Sequence, residues 1–243
     1  TAEGGFAGLD GRPDPYFSFF AWLAARALGA EPDLARLRAY MRAHRQSPKR
    51  IDAQCAQIFW AVEGRGARVA WPTLAAALLR GDTRQVYAAF LLMLATGDVP
   101  RWSARLAWWR QRSLFEADAA KRLPTPRLAA GLILSALAEK GDTGLCPALL
   151  ARQCAGGGFA SAAGAEADLL ATAAARFALL WHGRLARDAH GRGAHAAPAD
   201  LAFIEACWLE DGLFGASPQA LHGDAEHTFY GLLALGTCRA DHS

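Results

Sequence analysis

The chain repeats one plan six times: a turn residue, usually Asp, then a long apolar run. The segments read DPYFSFFAWLAARALG from Asp14, DAQCAQIFWAVEG from Asp52 and DTRQVYAAFLLMLATG from Asp82. They continue with TPRLAAGLILSALAEKG from Thr125, DLLATAAARFALLWHG from Asp168 and DAEHTFYGLLALG from Asp224. Their starts lie 38, 30, 43, 43 and 56 residues apart, the recurrence expected of stacked helical repeats. Asp or Thr at each start suits capping of the first-turn N–H groups, and Gly at each end suits a left-handed C-cap. The runs are apolar nearly all round, which predicts burial on both sides. Between them lie amphipathic segments with an apolar stripe backed by Arg or Glu: Asp33–His44, Trp71–Leu79, Trp102–Phe115, Cys146–Arg152 and Asp200–Glu210. Buried helices alternating with half-exposed ones predict two concentric rings, inner walled by outer, in one all-α domain spanning residues 1–243. Strand signals are absent. Arg184–Ala197, rich in Gly, His, Ala and Arg, reads as a flexible loop.

Composition agrees with a packed domain. Hydrophobic residues make up 53% of the 243 and charged residues 20%, enough apolar surface for a sizeable core and too little charge for disorder. A net charge of +3 is too weak to argue for nucleic acid as a partner. Five cysteines, an odd number with no CxxC pair, point to a reducing compartment, so the expected location is the cytoplasm. No stretch approaches the roughly 20 apolar residues of a transmembrane helix. Thr1–Gly11 shows no basic region followed by an apolar one, so no signal peptide is expected.

Three of the repeats carry a glycine-rich turn before the apolar run: Gly4-Gly5-Phe6, Gly157-Gly158-Phe159 and Asp211-Gly212-Leu213-Phe214-Gly215. Together with the final run EHTFYGLLALG, Glu226–Gly236, this pattern resembles the repeat of protein prenyltransferase β subunits. The likeness is best over Gly4–Gly29, Gly157–Gly183 and Asp211–Gly236. It implies an α/α toroid of about six helical hairpins with a central cavity for an isoprenoid diphosphate or related lipid. It also implies a helical partner subunit and a zinc ion. That zinc is held in the family by an Asp, a Cys two residues later, and a His on the last inner helix. Asp168 falls on the Asp and His227 on the His, but Leu170 stands where the Cys belongs and cannot ligate. Zinc is therefore a candidate cofactor with an incomplete site. Asp14 and Tyr16 keep the same register in the first repeat, again without Cys, and Cys55 lies one residue off it in the second.

Each candidate has a structural reading beside its functional one. Capping alone accounts for Asp14, Asp52, Asp82, Asp168 and Asp224, which recur at helix starts. Periodicity does not account for His227. With Glu226 it forms a candidate catalytic acid–base pair, joined by Asp168; the alternative is a core or capping histidine. Arg84 and Arg127, each two residues after a segment start, suit a diphosphate near helix N-termini; the alternative is ordinary ion pairing. Tyr16 and the aromatics Phe17, Phe19, Phe20, Phe59, Trp60, Tyr87, Phe90, Phe229 and Tyr230 belong to the core or line a cavity for the lipid. Trp102, Trp108 and Trp109 interleave with Arg101, Arg105, Arg110 and Arg112, as on an outer helix packed through its Trp side and solvated through its Arg side; the alternative is a membrane-surface or partner face. The Asp-x-Asp-Asp acid of terpene cyclases, the Gly-Cys-Gly-Glu-Gln run of thioester domains, Walker motifs and HExxH are all missing. Two functions stay open: a prenyl-transferring enzyme, or a non-catalytic toroid acting as partner scaffold or lipid-binding subunit.

Overall fold

A computed structural model describes residues 1–8, 10–65, 95, 101–116, 120–140, 144–190 and 198–240. Within them the chain is all-α apart from one minimal sheet. The helices are α1 Pro15–Leu28, α2 Leu34–Ala43, α3 Arg50–Arg65, α4 Arg101–Gln111 with a 3-10 turn Arg112–Phe115, and α5 Thr125–Leu137. They continue with α6 Leu145–Leu150, α7 Leu169–His190, α8 Pro198–Ala206 and α9 Ala225–Ala240. The third apolar segment, Asp82–Gly97, lies outside the described residues save for the helical Ala95, as does the amphipathic Trp71–Leu79.

The apolar helices pack side by side in the order α3, α1, α9, α7, α5. The first and last segments of the chain are thus neighbours. The amphipathic helices flank this row: α2 lies on α3 and α1, α8 on α9, and α4 and α6 on α5. Apolar side chains close the space between them. Phe19, Phe20, Trp22, Phe59, Leu128, Phe159, Phe214 and Tyr230 are almost fully buried, each contributing about 1.5–3 kcal/mol by removal from water.

The glycine-rich turns set how each apolar helix enters the fold. In all three, the Phe N–H donates to a hydroxyl in the first turn of the following helix: Phe6 to Ser18 Oγ (2.8 Å), Phe159 to Thr172 Oγ1 (2.9 Å) and Phe214 to Thr228 Oγ1 (3.2 Å). Gly4 and Gly157 share φ of +92°, the left-handed region that glycine enters freely. Both sit against an amphipathic helix: a Cβ on Gly157 would meet the Ala199 carbonyl oxygen at 2.0 Å, and one on Gly4 would meet that of Arg36 at 2.7 Å.

Several boundaries depart from the sequence pattern. Phe159–Ala160 and Ala167–Asp168 form an antiparallel pair, although no strand was expected. Single bridges at Ala7–Pro13 and Phe214–Asp224 repeat the motif, because each glycine turn folds back onto the residues that launch the next helix. Asp52 is not a cap; α3 begins two residues earlier, at Arg50, and Asp52 is buried in its first turn. Gly64 lies inside α3, not beyond it. The helix α7 continues through Arg184–His190, the first half of the expected loop; residues 191–197 lie outside the described set. Of the three tryptophans on α4, Trp108 is buried while Trp102 and Trp109 are more than half exposed, so the Trp side as a whole does not pack inward.

Candidate functional site

Three neighbouring apolar helices, α1, α7 and α9, begin on the same device. Asp14, Asp168 and Asp224 each turn a carboxylate back onto the first turn. Asp14 Oδ1 accepts from Tyr16 N (2.8 Å) and Phe17 N (3.2 Å), Asp168 Oδ1 from Ala171 N (2.7 Å), and Asp224 Oδ1 from His227 N (2.8 Å). Capping therefore explains these three residues, as their periodicity suggested. Counting from each cap, Tyr16, Leu170 and Glu226 share one position and Phe17, Ala171 and His227 the next. The two residues that break the apolar pattern, Glu226 and His227, both stand at the start of α9, between α1 and α7.

Side chains join across that start. The Tyr16 hydroxyl donates to Glu226 Oε1 in a very short bond spanning 210 positions of sequence. His227 Nδ1 lies 2.8 Å from Asp224 Oδ2. All four residues are half-buried. Burial pushes Glu226 above the ordinary carboxylate range; the Tyr16 hydroxyl and His227 oppose this, while Asp224 and Asp168 add to it. Burial likewise raises Asp168, against hydrogen bonds from Ala171 and Ser161 and the charge of His227. Burial would lower His227, but the Asp224 hydrogen bond and the charges of Asp224, Glu226 and Asp168 outweigh it and raise the ring. Asp224 moves the other way: burial would raise it, but the ring and N–H of His227 carry it below its usual value. An acid and an imidazole, both shifted upward, therefore stand side by side at one helix start, the kind of perturbed pair found where protons are moved.

Asp168 and His227 are thus within electrostatic reach of one another. The zinc set implied by the resemblance is nevertheless not assembled. Leu170 has no donor atom, and the Asp168 carboxylate is engaged by Ala171 and Ser161. Among the described residues, no group of three or more His, Cys, Asp or Glu side chains is placed to hold a metal ion. Cys55, one residue off the ligand register, is fully buried, and burial drives its thiol well above the ordinary range.

Leu170 belongs instead to an apolar wall. From Leu169 to Trp181 every residue of α7 is buried except Leu170, Phe177 and Trp181. Steps of seven and four put these three on one stripe of the helix, with the Phe177 and Trp181 rings 6.1 Å apart. Of the other aromatic candidates, Phe19, Phe20, Phe59, Phe229 and Tyr230 are core, while Phe17 and Trp60 are half-buried; Tyr87 and Phe90 lie outside the described residues. Arg127 is half-buried at the start of α5, with no ion pair among the described residues. Counted from its own cap, Pro124, it stands third, in the register of His227 rather than Glu226. Arg84, its expected companion, lies outside the described residues, so the paired anion site is described by one member.

Sequence reasoning found Tyr16, Glu226, His227 and Asp168 separately. It missed that Tyr16 bonds to Glu226 and that Asp224 grips the His227 ring. The second had a visible signal, an Asp cap with a polar residue three positions on, the spacing of reciprocal capping. No family model matches the chain, and no curated protein matches it. Among the described residues, no helix is long and apolar enough to cross a membrane.

Proposed function

We propose that this chain is a prenyltransferase-like toroid that holds an isoprenoid-type lipid against its inner helices. Tyr16, Glu226 and His227 would act on the lipid's polar end. The observation that carries this reading is the joined acid–base group at the start of α9, together with the half-buried stripe Leu170–Phe177–Trp181 on the neighbouring helix α7. An isoprenoid needs such a wall for its chain, and Arg127 offers a cation for a phosphate. Transfer to an acceptor needs a proton removed from that acceptor, a role within the reach of His227 chemistry. The repeated glycine turns and the packing order α3, α1, α9, α7, α5 agree with hairpins arranged around a common centre.

Leu170 favours a second reading, a binding subunit that kept the cavity without thiolate chemistry. Metal analysis of the purified protein separates the two. Stoichiometric zinc lost in His227→Ala would favour the family's transferase chemistry; metal-free protein that still binds lipid would favour the binding subunit.

The test of the shared claim is titration with geranylgeranyl diphosphate, read by tryptophan fluorescence and native mass spectrometry. Saturable one-to-one binding is expected. Phe177→Arg and the milder Leu170→Asn should weaken it at least tenfold, while Trp102→Arg on the exposed face of α4 should leave it unchanged. Absence of saturation, or indifference to both wall substitutions in folded protein, would overturn the proposal.

A further inference from the structure

The three Asp caps look alike in sequence but differ in what they hold. Asp14 caps α1 through Oδ1 alone, onto two backbone N–H groups. Asp168 caps α7 and is also bonded by Ser161. Asp224 divides its two oxygens: Oδ1 accepts from the His227 backbone at 2.8 Å, and Oδ2 lies 2.8 Å from the ring Nδ1 of the same residue. The backbone bond fixes the carboxylate, and the fixed carboxylate then fixes the ring. The equivalent positions on α1 and α7 carry Phe17 and Ala171, so this arrangement belongs to α9 alone among the three.

An ionised carboxylate has no proton to give, so the proton in this bond belongs to the imidazole. We propose that Asp224 is a positioning residue, which holds neutral His227 as the Nδ1–H tautomer and leaves Nε2 to meet the ligand's polar end. The part concerning the ligand rests on the function proposed above; the tautomer does not. With Nε2 carrying the lone pair, the ring can take a proton from an acceptor hydroxyl or thiol. With the opposite tautomer it could only donate there.

The experiment is long-range 1H–15N correlation spectroscopy of ligand-free protein labelled at histidine, above the titration range of the ring. The chain has seven histidines, and comparison with His227→Ala assigns the resonances of this one. The wild-type ring is expected to show a pyrrole-like Nδ1 and a pyridine-like Nε2. Asp224→Asn keeps a good N-cap, but its amide N–H₂ faces Nδ1, so the two nitrogens should exchange character. Asp14→Asn, a cap that holds no ring, should leave them as they are. A wild-type ring protonated at Nε2, or an Asp224→Asn ring still protonated at Nδ1, overturns the inference. The wild-type spectrum decides alone if the Asn variant does not fold. Failure of geranylgeranyl diphosphate to bind would strike the proposed function and leave the tautomer result standing.

Discussion

At the scale of residues, the site is a balance of opposed shifts, and the balance has a sign. His227 is raised above its ordinary 6.5. Its contribution to stability is therefore complete below about that pH and is lost as pH rises through the raised value. Asp224 is lowered from its ordinary 3.8. Its contribution is complete above about that pH and is lost as pH falls through the lowered value. The stability difference between wild type and His227→Ala, from urea unfolding at a series of pH values, should thus be greatest between about 3.8 and 6.5 and decline on both sides. A difference that grows steadily above pH 7 would contradict the pairing. Glu226 and Asp168 are raised acids, so they favour the folded state at low pH and lose that effect as pH rises through their raised values. Glu226→Gln should flatten this part of the pH profile. These couplings were only half legible in sequence. The residue types at 16, 168, 226 and 227 were visible, but which carboxylate meets which partner depends on α1 lying beside α9, a contact between the two ends of the chain.

At the scale of elements, the glycine turns are the joints. Gly212 has φ of +82° and no described atom within 4 Å of an added Cβ, whereas Gly157 would drive a Cβ into the Ala199 carbonyl. Gly212→Ala should therefore cost only the left-handed strain, about 1–2 kcal/mol. Gly157→Ala adds overpacking of about 1–3 kcal/mol or more. Gly4→Ala, with its 2.7 Å approach, should fall between them in chemical denaturation; any other order would contradict the packing. The same joint holds a buried ion pair. Asp200 is fully buried and accepts from Gly158 N (2.9 Å) and Gln153 Nε2, with Arg176 at 3.6 Å. Asp200→Ala should cost about 3–5 kcal/mol in the same assay, since it breaks a buried ion pair and removes the acceptor of the Gly158 N–H. Sequence periodicity located nearly all the described helices because burial on two faces writes an unmistakable apolar run. It misplaced the ends where capping did not decide them. Asp52 looked like a cap but sits inside α3, and the polar composition of Arg184–His190 concealed a helix that simply continues.

At the scale of the whole molecule, the neighbour order α3, α1, α9, α7, α5 places three Asp-capped helix starts next to one another. Repeats of one plan would favour such a row, since each apolar helix needs apolar neighbours on both sides and an amphipathic helix outside. That much was written in the alternation of the segments. The side-chain pairing was not, because a repeat makes its helix starts equivalent, and the equivalence breaks at Glu226 and His227. If the proposed function holds, Glu226, His227 and the α7 stripe face one lipid. Photo-crosslinking tests this most directly, using a diazirine-bearing geranylgeranyl analogue with labelled residues mapped by mass spectrometry. Labels are expected on Leu170, Phe177 and Trp181, with Tyr16 and α9 near the polar end, all displaced by unlabelled lipid. Labels confined to the amphipathic helices α2, α4, α6 and α8, or labels that unlabelled lipid does not displace, would contradict it.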